Sequence, residues 1–399
     1  MKKEWLFPWI VLGVGIFLIC PARSAGSWSQ PNLTLHAPSA VLLDGTTGQI
    51  LFEKNPEERF APASLTKVMT LYLAFDALKR RDVKFDDQVL VSKRAWKMGG
   101  SQMFLEVGDR VKFIELIKGV ATISANDGAL AIAEFLTGSE EVFVHEMNEK
   151  ARALGMEHTR FVNPHGLPRE GQHTCAMDMA VLGLHYLHDH PEALEFHALR
   201  TYTYGGIKQK NWNPLLGLGV GVDGLKTGYL KTSGYHILFT AKKGDRRIIG
   251  VVMGADTADH RNNDALKLIG YGFKNFSNRA LVKKGDVVAR VDVPNGTPPQ
   301  LALVAARSVV VTVPKAMEGS LPVREEIPSS VKAPIKQGEV VGKLVFEGEG
   351  FPSKEVDLLA SQDVQVRSYV LYYALASAAV AGLLGLAFWR RRFSRRKRQ

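Results

Sequence analysis

Cysteine is nearly missing from this sequence. Only Cys20 and Cys175 occur, so neither a disulfide framework nor a cysteine-rich zinc cluster holds the fold. Cys20 falls in an apolar leader, and Cys175 reads as a small buried hydrophobe. Charge of one sign is also missing once the ends are set aside. The formal net charge is +11, but Arg390 to Arg398 hold seven cations and the first 24 residues a net two. The intervening chain is therefore close to neutral, which excludes a protein-wide basic groove for nucleic acid. No internal repeat is present, so the chain is not a repeat array. With 46% hydrophobic and 23% charged residues, the composition excludes disorder and implies globular domains.

What is present begins with two membrane signals. Lys2 and Lys3 precede an apolar run from Leu6 to Cys20, and Ala22-Arg23-Ser24 supplies small residues for cleavage, the pattern of a secretory signal. A lipoprotein site at Cys20 fits less well, because Ile19 precedes it and Pro21 follows. At the other end, Ser368 to Trp389 runs 22 positions without a charge, long enough at 1.5 Å per residue to cross a bilayer core. Tyr369, Tyr372 and Tyr373 lie near one edge and Phe388 and Trp389 near the other, followed at once by the Arg-rich tail. Positive-inside logic leaves that tail in the cytoplasm and the body outside.

Between them the body divides in two. Residues 25–36 are polar and read as a linker. A hairpin is expected over 40–52, turning through Gly45 to Gly48. A helix is expected from Pro62 to about Arg80, where Leu65, Val68, Met69, Tyr72, Phe75 and Leu78 recur at three- and four-residue spacing. Phe113 to Thr122 and Asp127 to Leu136 also look helical, and Tyr235 to Thr240 and Arg247 to Gly254 look like strands. From Ala280 to Asp363 the texture changes to short β-rich runs punctuated by Gly and Pro, without helical period, which predicts an all-β module.

Three short strings carry chemistry: Ser64-Leu65-Thr66-Lys67, Ser124-Ala125-Asn126 and Lys226-Thr227-Gly228. Each alone is weak; a second Ser-x-x-Lys, Ser394 to Lys397, sits in the tail without meaning. Ser124 alone would pass for a helix cap and Lys67 for an exposed helical lysine. As a set they make sense. Ser64 and Lys67 lie one helical turn apart, which brings the amine near the hydroxyl. A serine hydroxyl needs a base, and lysine serves as one only if burial or a second cation such as Lys226 lowers its pKa. Asn126 can orient Lys67 and a substrate amide together, Ser124 is placed to relay a proton, and Lys226 with Thr227 offers a cation and a hydroxyl to a carboxylate. Gly228 permits close backbone approach.

Ser-x-x-Lys, Ser-x-Asn and Lys-Thr-Gly in that order belong to the β-lactamase and penicillin-binding set. The chain resembles the low-molecular-mass penicillin-binding proteins of D,D-carboxypeptidase type over roughly residues 34–365. The resemblance extends to Pro62-Ala63 before Ser64, Asp127-Gly128-Ala129 after Asn126, Asn163-Pro164-His165-Gly166-Leu167, Asn211-x-Asn213-x-Leu215, Gly221 to Gly228, and Ala333-Pro334-Ile335-x-x-Gly338-x-x-Val341-Gly342. It implies an α/β (α+β) serine transpeptidase/β-lactamase-like catalytic domain, a small all-β domain and a C-terminal transmembrane helix. The implied organisation is a signal peptide over 1–24, the D,D-carboxypeptidase domain over 25–276, the β-domain over 277–365, the anchor over 366–389 and the cytoplasmic tail over 390–399.

By the same resemblance Ser64 is the acylated nucleophile and Lys67 its base. Ser124 and Asn126 complete the proton network, and the N–H groups of Ser64 and Tyr229 form the oxyanion hole. Lys226, Thr227, Gly228 and, on the next strand, Arg247 meet the substrate. No cofactor or metal is implied. The implied partners are a stem peptide ending D-Ala-D-Ala, β-lactams and the membrane, with export to the outer face of the cytoplasmic membrane. Ala125 stands where the family usually has glycine, and a spanning anchor replaces the family's frequent surface-lying helix.

Two other signals lose to context. Gly219 to Gly224 fits Gly-x-Gly-x-x-Gly letter for letter but leads into a strand, not a helix. His185, His188, His190 and Asp189 read as a solvated helix end rather than a metal site. A β-lactamase or D,D-endopeptidase would share the apparatus, though a scavenger of free drug needs neither β-module nor anchor. A catalytically weak scaffold would have no need of Lys67 or Lys226.

Overall fold

The structure, a computed structural model, describes residues 33–317, 322–348 and 353–396. The leader lies outside the described residues. Two compact units form, one of residues 33–279 with 311–317, the other of the remaining described residues from 280 on.

In the first unit β1 (Ser39–Asp44) turns back into β2 (Ile50–Lys54), the expected hairpin. A 3₁₀ turn, Ala63–Leu65, leads into α1 (Thr66–Arg80). Then follow β3 (Gln88–Leu90), α2 (Lys93–Trp96), β4 (Arg110–Lys112), α3 (Phe113–Thr122), α4 (Asn126–Thr137), α5 (Glu140–Ala153), α6 (Ala176–Asp189) and α7 (Leu194–His197). A small hairpin, β5 (Thr201–Tyr204) and β6 (Ile207–Lys210), precedes the long strands β7 (Val222–Leu230), β8 (Gly234–Lys243) and β9 (Arg246–Ala255), and α8 (Ala258–Asn275) closes the unit. The main sheet is antiparallel in the order β2-β1-β9-β8-β7, with β7 on its edge.

Strand periodicity splits the core into two layers. Val41, Leu43, Leu238, Ile249, Val251 and Met253 face the helical side with α1, α3, α4 and α6. Leu42, Ile237, Phe239, Ile248 and Val252 face the other side, where Ala265, Leu268 and Ile269 of α8 cover them. With both faces buried, the strands read as near-continuous apolar runs, and each large side chain such as Phe239 contributes about 2–3 kcal/mol by burial. Gly250 has no Cβ because one would sit 2.1 Å from the Phe239 ring.

Two expectations are corrected. Residues 33–37 are not a free linker: Leu35 and Ala37 are buried. Lys54 Nζ donates to both their carbonyls, and Ala37 N–H donates to the buried Asp264. Of the histidines at the helix end before Pro191, only His188 is exposed to solvent. His190 is fully buried with Nε2 2.7 Å from Asp76 Oδ1, and His185 is buried as well, because the end of α6 packs against Tyr72 and Phe75 of α1. Cys175 is buried as expected, and its sulfur also caps α6 by accepting from Asp178 N–H.

The expected β-runs follow from residue 276 on, with residues 276–279 and 311–314 of them belonging to the first unit. After β10 (Phe276–Val282) come β11 (Val287–Asp292), β12 (Gly296–Thr297), β13 (Gln300–Ala305), β14 (Val309–Pro314), β15 (Val323–Glu326), β16 (Val340–Phe346), β17 (Lys354–Ala360) and β18 (Gln365–Val366). Five of them make an antiparallel sheet, β11-β13-β17-β16-β15. Leu301, Leu303 and Ala305, with Val356, Leu358 and Ala360, give it one buried face. The chain then enters α9 (Val370–Arg396), within which Tyr372–Arg390 is long and apolar enough to cross a membrane.

Candidate active site

The Ser64 turn is wedged between β7 and the 163–167 loop. Ala63 takes a left-handed φ of +50°, so Ser64 sits in the 3₁₀ turn ahead of α1 rather than in the helix expected from Pro62. Gly228 makes that position possible: a Cβ there would lie 3.0 Å from Ala63 Cβ and 3.2 Å from Ser64 N. On the opposite side Gly166, at φ +86°, touches the same turn so closely that a Cβ would come within 1.9 Å of Ala63 O.

Lys67, in the first turn of α1, is fully buried. Its Nζ lies 3.2 Å from Ser64 Oγ, donates to Asn126 Oδ1 at 2.6 Å and donates to the His165 carbonyl. Asn126 opens α4, its amide fixed by donation from Nδ2 to Gly99 O at 2.7 Å, which leaves Oδ1 toward the lysine. A neutral lysine has two N–H bonds and one lone pair. Two pure acceptors, Asn126 Oδ1 and His165 O, use both N–H bonds, so the lone pair is left for the Ser64 hydroxyl proton. Burial holds the Lys67 pKa well below its ordinary value, with the Lys226 charge acting in the same direction and Asp127 opposing it.

Lys226 lies within β7, and it is 98% shielded from solvent. Burial, then the charge of Arg261, pushes its pKa down to about 7. Ser124 is held at φ +63°, and its buried Oγ has no hydrogen-bond partner among the described residues. Together Ser64, Ser124, Lys226, Thr227, Gly228 and Tyr229 line one pocket of about 410 Å³, completed by Ser101, Trp212, Tyr235, Ala258 and Arg261. Its charged groups are cations; among the described residues no carboxylate lines it. A buried hydroxyl lacking a partner beside two cations is suited to a ligand bringing acceptors and negative charge.

Arg247 is the exception among the sequence-derived residues. Its guanidinium grips both oxygens of Asp223 at 2.8 Å and donates to Thr240 Oγ1 at 2.7 Å, and it does not line the pocket. Asp223, three residues before Lys226, supplies the bidentate partner that holds it away. The pocket's arginine is Arg261, on α8, whose guanidinium donates to the neighbouring Asn262 Oδ1 and lies over the Tyr235 ring. No local pattern marked Arg261, because α8 itself was not anticipated. His165 lay within a quoted stretch, yet its part is played by the backbone carbonyl, which residue identity does not reveal.

The geometry sets a buried amine beside a serine hydroxyl, and comparison with known proteins gives the family. Residues 25–257 match the D-alanyl-D-alanine carboxypeptidase family, and residues 276–366 match the penicillin-binding protein 5 C-terminal domain. The chain belongs to the D-alanyl-D-alanine carboxypeptidase family. It is similar to the D-alanyl-D-alanine carboxypeptidase DacF of Bacillus subtilis, 35% identical over 93% of this chain and 97% of that one. Among solved structures it resembles penicillin-binding protein 5 from Haemophilus influenzae, with 33% identity, a TM-score of 0.76, and coverage of 84% of this chain and 99% of that one. It also resembles penicillin-binding protein D2 from Listeria monocytogenes in its cefotaxime-bound form, with 33% identity, a TM-score of 0.57, and coverage of 61% and 100%. The fold is thus that of the family's catalytic domain followed by its all-β domain.

Proposed function

We propose that this family member removes the terminal D-alanine from peptidoglycan stem peptides through a Ser64 acyl-enzyme, and that penicillins acylate the same serine. The observation that carries the reading is the fully buried Lys67 Nζ, bonded to Asn126 Oδ1 and the His165 carbonyl and 3.2 Å from Ser64 Oγ.

Neutral Lys67 takes the Ser64 proton as Oγ attacks the penultimate D-alanine carbonyl. The developing oxyanion lies between the N–H groups of Ser64 and Tyr229. As the C–N bond breaks, the lysine's extra proton passes through Ser124 Oγ to the leaving D-alanine amine, and water later frees Ser64. The substrate's terminal carboxylate meets Lys226, Thr227 and, in place of Arg247, Arg261. The pocket's lack of carboxylates and its two cations support this orientation. A β-lactamase or scaffold reading is not favoured, since relatives over nearly the whole chain carry the carboxypeptidase name.

The proposed organisation keeps the boundaries read from sequence, with the catalytic domain ending at 276 and the β-domain at 365. α9 is proposed to span the cytoplasmic membrane, holding the catalytic domain on the outer side. The exposed apolar helix of Tyr372–Arg390 and the cations after it support that arrangement.

The test is intact mass of residues 25–367 after incubation with benzylpenicillin, alongside Ser64→Ala. One equivalent of adduct on the wild type and none on the variant is expected. Antibiotic left intact with no adduct would sink the Ser64 mechanism, and antibiotic consumed without adduct would make the protein a β-lactamase.

A further inference from the structure

Another of the buried imidazoles, His236, has no part in the proposed mechanism. It lies on β8 directly opposite Gly228 in register and is fully buried. Its Nδ1 is 3.0 Å from the N–H of Gly254, and its Nε2 is 3.0 Å from Ser233 Oγ. Ser233 Oγ is in turn 3.1 Å from the carbonyl of Ala61.

The direction of these bonds is forced. The Gly254 amide can only donate, so Nδ1 accepts and the ring proton sits on Nε2. Nε2–H then donates to Ser233 Oγ, and the only proton left to Ser233 donates to Ala61 O. Burial, partly offset by the Ala61 carbonyl, pushes the His236 pKa down to about 4, so the ring keeps this neutral form near pH 7.

The relay joins two stretches of backbone. Ala61 lies three residues before Ser64. Ser233 closes the turn after β7, four residues past Tyr229. Phe60, next to Ala61, is fixed independently by a pair of backbone bonds with Thr174, and its ring edge meets the His236 ring at 5.9 Å. The Ser64 turn and the Gly228–Tyr229 backbone therefore touch at one end, through the Cβ-free face of Gly228, and are tied at the other by Ser233 and His236.

We propose that Ser233 and His236 are positioning residues that set the separation of the Ser64 and Tyr229 N–H groups. The inference rests on the oxyanion reading above. An oxyanion exists only in the transition state and its tetrahedral neighbours, so a slackened pair of donors lowers kcat and leaves KM in place.

The test uses Ser233→Ala, with rates normalised to sites titrated by penicillin, and Ser233→Thr, which restores the hydroxyl. The expected result is a fall of about tenfold in kcat, since complete loss of an oxyanion donor costs about 10²–10³. A boronic acid whose tetrahedral adduct places an oxygen between the two N–H groups should lose affinity by a similar factor. KM should stay within about twofold and the pH profile should keep its shape. Ser233→Thr should recover most of both losses. Unchanged kcat and boronate affinity in Ser233→Ala overturns the inference, as does a loss expressed in KM alone. If wild-type Ser64 takes up no penicillin, the functional reading has failed; if the wild type is acylated and Ser233→Ala matches it throughout, only the positioning role has failed.

Discussion

At the scale of single residues the site is a set of polar groups made reactive by burial. Lys67 and Lys226 are both held below their ordinary pKa, and each proposed role needs a different protonation state: Lys67 neutral, Lys226 charged. The second-order rate of penicillin acylation should therefore be bell-shaped in pH. It rises as Lys67 loses its proton and falls as Lys226, near 7 in the free enzyme, loses its own. Because the cation at 226 disfavours a cation at 67, Lys226→Gln should move the rising limb to higher pH as well as slow the reaction. Stopped-flow acylation across pH checks both effects; a rising limb that stays put would separate the two lysines. The sequence showed which residues to expect here but not all their partners. Ser-x-x-Lys spacing placed the amine by the hydroxyl, yet the third partner of Lys67 is the backbone carbonyl of His165, 98 residues away. Arg247 looked available because its partner Asp223 is distant in sequence and adjacent only across strands.

At the scale of elements the turn bearing Ser64 owes its shape to two glycines on neighbouring segments. Gly166→Ala would force a methyl into Ala63 O and place a side chain at a left-handed φ. Strained positions of this kind cost about 1–3 kcal/mol before the clash is counted. The expected outcome is a loss of penicillin acylation of at least about a hundredfold, with far-UV circular dichroism close to wild type; retained acylation would show that the loop can shift away without moving Ser64. Elements with strong local periodicity were legible in advance: the 40–52 hairpin, α1, α3, α4, β8 and β9. α8 was not, because its apolar positions are separated by charged and amide side chains such as Asp259, Arg261, Asn262 and Asn263. Its buried stripe is evident only once the sheet it covers exists. Losing α8 from the reading meant losing Arg261 with it.

For the whole molecule, the catalytic unit depends on keeping imidazoles uncharged. Burial pushes His165 down to about 3, and His197 and His236 to about 4, against 6.5 for the free side chain. Between those limits the unfolded chain binds more protons than the folded one, so stability falls as pH drops from 6.5 toward 4 and, for His165, toward 3. Each shift of this size is worth a few kcal/mol. The Tm of residues 25–367 should accordingly drop steeply between pH 6.5 and 4, and a flat Tm over that range would contradict the buried neutral form.

One contact bears on how such a protein could escape an antibiotic. The 163–167 loop supports the Ser64 turn through Gly166 and Lys67 through the His165 carbonyl, so in the proposed mechanism substrate and drug lean on the same foundation. A change there weakens both reactions by the same displacement. Resistance by that route would be self-limiting: the cell would be spared inhibition only by giving up the trimming that the enzyme exists to perform. Selection should instead favour the pocket's rim, where Trp212 and Tyr229 are open to solvent and where a bulky drug and a slender peptide need not touch the same atoms.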